Sequence, residues 1–381
     1  MAIYLDNAAT SYPKPATVYE QMVACLQDAG ANPGRSSHRL ARAAQQIVER
    51  TRLKLARMIG APVPEQIIFT FNTTDALNIA LKGLLNNGDH VISSYLEHNS
   101  VLRPLHRLAE TSAVSITLVD FDQEGFVSPH EIEQAIRAET KLIALTAASN
   151  VLGSLQPIEA IGRIARAHNL LFLVDAAQWL GAVPLDVEQT QIDLLAAGGH
   201  KALLGPPGTG FLYVGLRARL SCWREGGTGG NSLSPLQPDE LPFRLEAGTP
   251  NTSGIAGLSA ALDYLTMQDI NNVREHELAL TKRLLTGLSE IPDIKVYGTK
   301  TLAQRVGTVS FAIAGYRSDE VAAILDESFD IAVRGGLHCA PLVHKRLGTS
   351  PDGLVRVSVG PFNTSDDIDT LLKALQEIVT G

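Results

Sequence analysis

The chain has 381 residues, 45% of them hydrophobic and 19% charged, and a formal net charge of −8 at neutral pH. That length can bury a substantial core and suits two domains. The acidic balance excludes general binding to nucleic acid or anionic membranes, because no basic surplus exists to meet phosphates.

The first ten residues carry no cationic segment followed by an apolar stretch, so no secretory signal is read, and no apolar span is long enough to cross a bilayer. Residues 16–28 read as a helix. Residues 39–59 read as an amphipathic one, with Leu40, Ala44, Ile47, Thr51, Leu55 and Met58 on the apolar face and Arg52 off it. Short apolar strands follow at 66–70, 90–93, 115–119, 142–146, 171–175 and 194–197, separated by helices near 74–85, 99–110, 129–138 and 158–168. This alternation predicts an α/β fold with a mainly parallel sheet and helices on both faces. Residues 215–253, with Gly226-Gly227, Gly229-Gly230, Ser232 and Ser234, read as long loops joining two domains. Helices at 254–290, 317–327 and 365–379 and strands at 306–313 and 353–359 suggest a smaller C-terminal α/β domain. Cys25, Cys222 and Cys339 lie far apart, with no CxxC pair or zinc-like cluster, so free thiols, no metal and a cytoplasmic location are expected.

Ligands in such sheets bind beyond the carboxyl ends of the strands, so the polar residues there are the ones to inspect. Lys201 follows the apolar run 194–197 and precedes another, at 202–206. Burial lowers a lysine's pKa and frees a nucleophilic amine, which forms Schiff bases with carbonyl cofactors, above all pyridoxal 5'-phosphate. Asp175 closes its strand and can pair with a pyridinium nitrogen or cap the segment that follows. Gln178 can reach the ring's phenolic oxygen. Thr73 and Thr74 open a helix, where free amides and hydroxyls cradle a phosphate or serve as ordinary caps. His98 can stack on a ring and carry protons near neutral pH, or be a surface histidine. Asn150, after the next strand, can touch ring oxygen or substrate carboxylate. The glycine-rich run 205–210 resembles an ATPase phosphate loop, but Phe211 and Leu212 stand where lysine and serine or threonine are required, so it reads as a tight turn. Cys339 sits among glycines with Arg334 and His338, an electropositive setting that favours thiolate. Arg356, between valines on a strand, can receive an amino-acid carboxylate or form a salt bridge at a domain interface. To the substrate contacts we add Arg334 and His38.

Taken in order, Tyr4–Thr10, Phe69-Thr70 with Thr73-Thr74, Glu97-His98-Asn99, Val174–Gln178, Gly199-His200-Lys201, Glu246–Asn251, Arg334–Cys339 and Arg356 resemble the class V aminotransferase group of pyridoxal-phosphate enzymes, specifically the cysteine desulfurases. The resemblance implies a fold type I transferase and a homodimer in which Thr249 reaches the phosphate of the neighbouring subunit's cofactor. We expect a large cofactor domain at 16–250, with 1–15 and 251–381 forming the small domain. His200 joins the expected cofactor contacts. The segment around Cys339 resembles the short, ordered loop of the second desulfurase group. Two positions depart from the pattern: Gly198 replaces a serine or threonine, and Leu337 a frequent histidine. The implied reaction converts L-cysteine to L-alanine, leaves a persulfide on Cys339 and passes sulfur to an acceptor protein. A selenocysteine lyase, a cystine C–S lyase or an aminotransferase on the same fold is the alternative, and a silent scaffold a third reading.

Overall fold

Apolar runs of four to seven residues become strands and the amphipathic stretches between them become helices, in a computed structural model that describes residues 2–34, 37–229 and 233–380. Gly230 and Ser232 of the expected loop region lie outside these residues. The chain runs β1 (Ile3–Tyr4), α1 (Ala16–Asp28), α2 (Arg39–Met58), β2 (Ile67–Thr70), α3 (Thr73–Leu84), β3 (His90–Ser94), α4 (Asn99–Ser112), β4 (Ser115–Val119), α5 (Pro129–Gln134), β5 (Thr140–Thr146), α6 (Ile158–Ala167), β6 (Leu171–Asp175), β7 (Leu194–Gly198) and β8 (Gly210–Val214). It continues through α7 (Thr252–Gln268), α8 (Ile270–Glu290), β9 (Ile294–Tyr297), β10 (Thr308–Ile313), α9 (Ser318–Phe329), β11 (Ile331–Ala332), α10 (Pro341–Leu347), β12 (Val355–Ser358) and α11 (Ser365–Thr380).

The main sheet has seven strands in the order β2-β8-β7-β6-β5-β3-β4. All neighbours are parallel except those of β8, which runs antiparallel to β2 and β7. Strands β3, β7 and β8 are buried along their whole length, because helices cover both faces. Alternate residues feed the two layers. Val91, Leu142, Leu173, Leu194 and Leu212 pack against α3 and α4. Ile92, Ile143, Phe172, Leu195 and Phe211 face α2, α6 and α7.

The helix pattern misplaces one residue of α2. Arg52 is 2% exposed. It forms a bidentate pair with Glu246 at 2.8 and 3.0 Å, and its guanidinium carbon lies 4.7 Å from the centre of the Phe69 ring. A partner on a loop almost 200 residues away makes this burial tolerable, and helical periodicity cannot see it.

The second domain has a three-stranded antiparallel sheet, β12-β10-β9, packed by Leu280 and Leu284 of α8, Val321 and Leu325 of α9, and Leu371 and Leu375 of α11. Helix α7 does not share that core. Its Ile255, Leu258, Ala261 and Leu262 lie in the same cluster as Val18 of α1 and Val48 and Leu55 of α2. Val273 of α8 joins the same cluster, whereas Leu280 and Leu284 further along that helix belong to the other. The N-terminal segment crosses between them: β1 pairs with β11 in parallel.

Candidate active site

Strand ends converge where the physics of a parallel sheet places a ligand. A cavity of about 320 Å³ is lined by Thr73, Thr74, His98, Asn150, Asp175, Gln178, His200, Lys201, Arg334 and Arg356. Small-molecule sites span roughly 300–1,000 Å³. Ten of the residues singled out from the sequence therefore meet in one place. Cys339 is exposed and follows His338, which also lines the cavity.

Lys201 follows β7 in a tight turn closed by Leu204 N donating to Lys201 O at 2.8 Å. The glycines before it are required. A Cβ on Gly199 would lie 2.2 Å from Thr209 Oγ1, and one on Gly198 would lie 2.9 Å from Thr73 Oγ1. The run 205–210 is the turn into β8, and Thr209 Oγ1 donates to Pro206 O at 2.6 Å. Lys201 is enclosed by protein yet opens onto the cavity. Burial lowers its pKa to about 8; Asp175 works against that, while Arg356 and Arg334 add to it. The amine is thus neutral far more often than a surface lysine.

Asp175 is 4% exposed. Its Oδ1 accepts from Ala177 N at 3.0 Å, so the capping role is real. Among the described residues Oδ2 accepts no hydrogen bond. Burial pushes the carboxyl upward, with the Ala177 amide and Lys201 opposing. A cation-bearing ring against Oδ2 would satisfy it.

At the start of α3 the amides of Thr73 and Thr74 have no intrahelical acceptor, while Asn72 caps Asp75 N at 2.9 Å. Two free amides at a helix N-terminus suit a phosphate. The Thr74 hydroxyl lies 2.7 Å from Ser100 Oγ, which lies 2.8 Å from His98 Nδ1. His98 Nδ1 also accepts from Ser100 N at 3.0 Å. A backbone amide can only donate, so in the neutral ring the proton belongs on Nε2. Burial first, then Lys201 and Arg334, lowers His98 to about 4. The ring therefore favours its neutral form at physiological pH. His200 is likewise lowered to about 4, by burial and then by Lys201 and Lys14. Gln178 Nε2 donates to Ala8 O at 2.9 Å. An anion cradle, a buried carboxylate with a free oxygen and a depressed lysine together fit pyridoxal phosphate.

Arg356 is 1% exposed. It makes the salt bridge: Nη2 pairs with Asp6 Oδ1 at 2.5 Å, and Nη1 donates to Asn150 O at 3.2 Å, while among the described residues its buried Nε has no partner. Asn150 Nδ2 donates to His338 O at 2.7 Å. Arg334 Nη2 lies 3.7 Å from Cys339 Sγ. His338 does not share that role. Burial holds its pKa to about 2, so it brings no charge to the thiol and only bonds Arg334 O through Nε2 at 3.2 Å. The electropositive setting comes from Arg334 alone of the two.

Two of the expected residues lie elsewhere. His38 is exposed and caps α2, its Nδ1 accepting from Ala41 N at 3.2 Å. Thr249 lines a separate cavity, where Asn32 Nδ2 donates to its hydroxyl at 3.2 Å. The sequence reading missed Ser100, Asp6 and Glu97. Ser100 had a signal, its spacing of two from His98. Asp6 lay in a quoted motif, but nothing local announced its partner. Glu97 is fully buried, with Oε1 accepting from Ser94 Oγ at 2.6 Å and Oε2 unpartnered.

Comparison with known proteins agrees with this geometry. The family model for aminotransferase class-V matches residues 3–371. A probable cysteine desulfurase of Methanothermobacter thermautotrophicus is 37% identical over 99% of this chain and 94% of its own length. A cysteine desulfurase of Pectobacterium atrosepticum is 32% identical over 98% and 92%. Among solved structures, the apo cysteine desulfurase of Thermococcus onnurineus superposes with a TM-score of 0.94 at 36% identity, covering 100% of this chain and 95% of that one. The cysteine desulfurase CsdA of Escherichia coli, in an S-sulfonic acid form, gives 0.90 at 29% identity, covering 99% and 94%. The chain belongs to the aminotransferase class-V family, among its cysteine desulfurases.

Proposed function

We propose that this enzyme converts L-cysteine to L-alanine with pyridoxal phosphate held by Lys201, and passes the sulfur through Cys339 to an acceptor protein. The observation that carries the reading is a depressed lysine and a buried carboxylate lining one cavity whose Arg334 also reaches the Cys339 thiol. Bound there, the cofactor supplies an aldehyde for amines and a ring that spreads charge away from the substrate Cα. The Thr73 and Thr74 amides and His200 would hold its phosphate, Asp175 Oδ2 would pair with its ring nitrogen, and His98 would stack on its ring. Gln178 and Asn150 lie within the same lining.

The residues then divide the work. Arg356, aimed by Asp6, receives the substrate carboxylate, with Arg334 beside it. Lys201 Nζ removes the Cα proton and later returns one. Cys339 thiolate attacks the substrate sulfur. An S–S bond forms, the Cβ–S bond breaks with its electron pair left on carbon, and protonation gives alanine. The short segment 333–340 cannot carry the persulfide away, which is the reason for a docking acceptor. A homodimer in the cytoplasm, with Thr249 serving the neighbour's phosphate, belongs to the same proposal.

The test is alanine and sulfide release from L-cysteine by wild type and Cys339→Ala, with a dithiol present to reduce the persulfide to sulfide. Wild type releases both and the variant loses both. Equal release by the two proteins overturns the reading.

A further inference from the structure

Behind Lys201 lies a second, smaller cavity of about 40 Å³. It shares Ala8, Gln178 and Lys201 with the pocket in front, and Glu277 of α8, Gly307, Ser358 and Gly360 line it as well. Of all its lining residues only Lys201 and Glu277 titrate.

Glu277 is 8% exposed. Among the described residues its carboxyl group forms no hydrogen bond or ion pair; Thr281 Oγ1 uses only its backbone carbonyl. Arg274, one turn earlier on the helix, acts on it from a distance, because that guanidinium donates to the carbonyls of Arg305 and Ala303 at 3.3 and 3.2 Å. A buried carboxyl group without a protein partner is satisfied by water when the site has room. One water needs roughly 10–15 Å³ of such space, so this cavity holds about three or four.

We propose that these waters form a short file through which Lys201 and Glu277 exchange protons, so that hydrogen taken from substrate carbon is replaced by solvent hydrogen from behind. The inference rests on the desulfurase reading and assigns Glu277 a part in it. Each exchange moves one proton from Nζ to water and one from water to Nζ; the carboxyl end does the same, and no net charge is created. Burial raises the carboxyl of Glu277 and lowers the amine of Lys201, which brings the proton affinities of the two ends closer together.

The experiment feeds Cα-deuterated L-cysteine to the loaded enzyme and measures deuterium in the product alanine by mass spectrometry. Wild type and Glu277→Asp give alanine carrying mainly solvent hydrogen. Glu277→Gln, equal in shape but unable to relay, retains severalfold more deuterium. A crystal structure of the wild-type protein shows ordered water between Lys201 and Glu277, a readout independent of turnover. A dry cavity, or alanine from Glu277→Gln with wild-type label content, overturns the relay. No alanine from wild type would instead overturn the desulfurase reading, and the crystal structure alone would then decide whether the water file exists.

Discussion

Asp6 Oδ1 lies 2.5 Å from Arg356 Nη2, joining residues 350 apart in sequence. The pair fixes the guanidinium at the edge of the cavity while Asn150 O holds its other nitrogen at 3.2 Å. Removing one member leaves a buried charge without its partner, a loss of about 3–5 kcal/mol. Asp6→Asn is expected to lower unfolding stability by an amount near that range in denaturant melts. Its KM for L-cysteine should rise about 10-fold or more while kcat changes less, because the carboxylate receptor is misaimed and the reacting groups are untouched.

Arg334 Nη2 stands 3.7 Å from Cys339 Sγ, while His338 is held neutral by burial. Arg334→Ala should slow alkylation of Cys339 by iodoacetamide about 3- to 10-fold at neutral pH. Arg334→Lys should recover part of that rate. His338→Gln should leave it unchanged, since the imidazole carries no charge there.

Lys201 is lowered to about 8, chiefly by burial. The neutral amine is the nucleophile, so its capture of pyridoxal phosphate by the apoprotein should quicken about tenfold per pH unit below that value and level off above it. Borohydride trapping followed by mass spectrometry reads the rate, and Lys201→Ala gives no adduct. In Asp175→Asn the levelling point moves to lower pH, because the carboxylate that favours the ammonium form is gone.

Gly198 leaves no room for a side chain against Thr73 Oγ1. Gly198→Ser should weaken pyridoxal phosphate binding by displacing that hydroxyl. Pairing it with Thr73→Ala should recover affinity relative to the single change. The four proteins form a double-mutant cycle read by cofactor titration, and additive losses would disprove the competition.

Burial raises the Glu97 carboxyl to about 8, against 4.5 for an ordinary glutamate. Between those values the folded chain keeps a proton that the unfolded chain has lost. Stability therefore falls as pH rises through that window. Glu97→Gln removes this dependence. Unfolding free energies of variant and wild type should diverge in the variant's favour from pH 4.5 to 8, by an amount on the order of a few kcal/mol.

Much of the site was legible because each of its parts ends an apolar run. Asp175 closes β6, Lys201 follows β7, and Thr73 begins the helix after β2; in a parallel sheet those positions share one rim. What was hidden needed tertiary partners. The burial of Arg52 depends on Glu246, the aim of Arg356 on Asp6, and the neutrality of His338 on the packing around it. Helix α7 was read with the small domain because periodicity names an apolar face but not the surface it meets. Glu97 was quoted only as part of a motif and Glu277 not at all, because nothing next to them in sequence announces burial.

The N-terminal strap sets a limit on motion. Ala8 N donates to Ser358 Oγ of one domain at 2.8 Å, and Ser11 N donates to His200 O of the other at 3.0 Å. Even fully stretched, the intervening backbone spans only about 10 Å. The two halves are thereby denied the swing of a hinged book. The cavity between those two anchors keeps its shape, so Lys201 and Arg356, one from each half, hold a nearly fixed spacing across it.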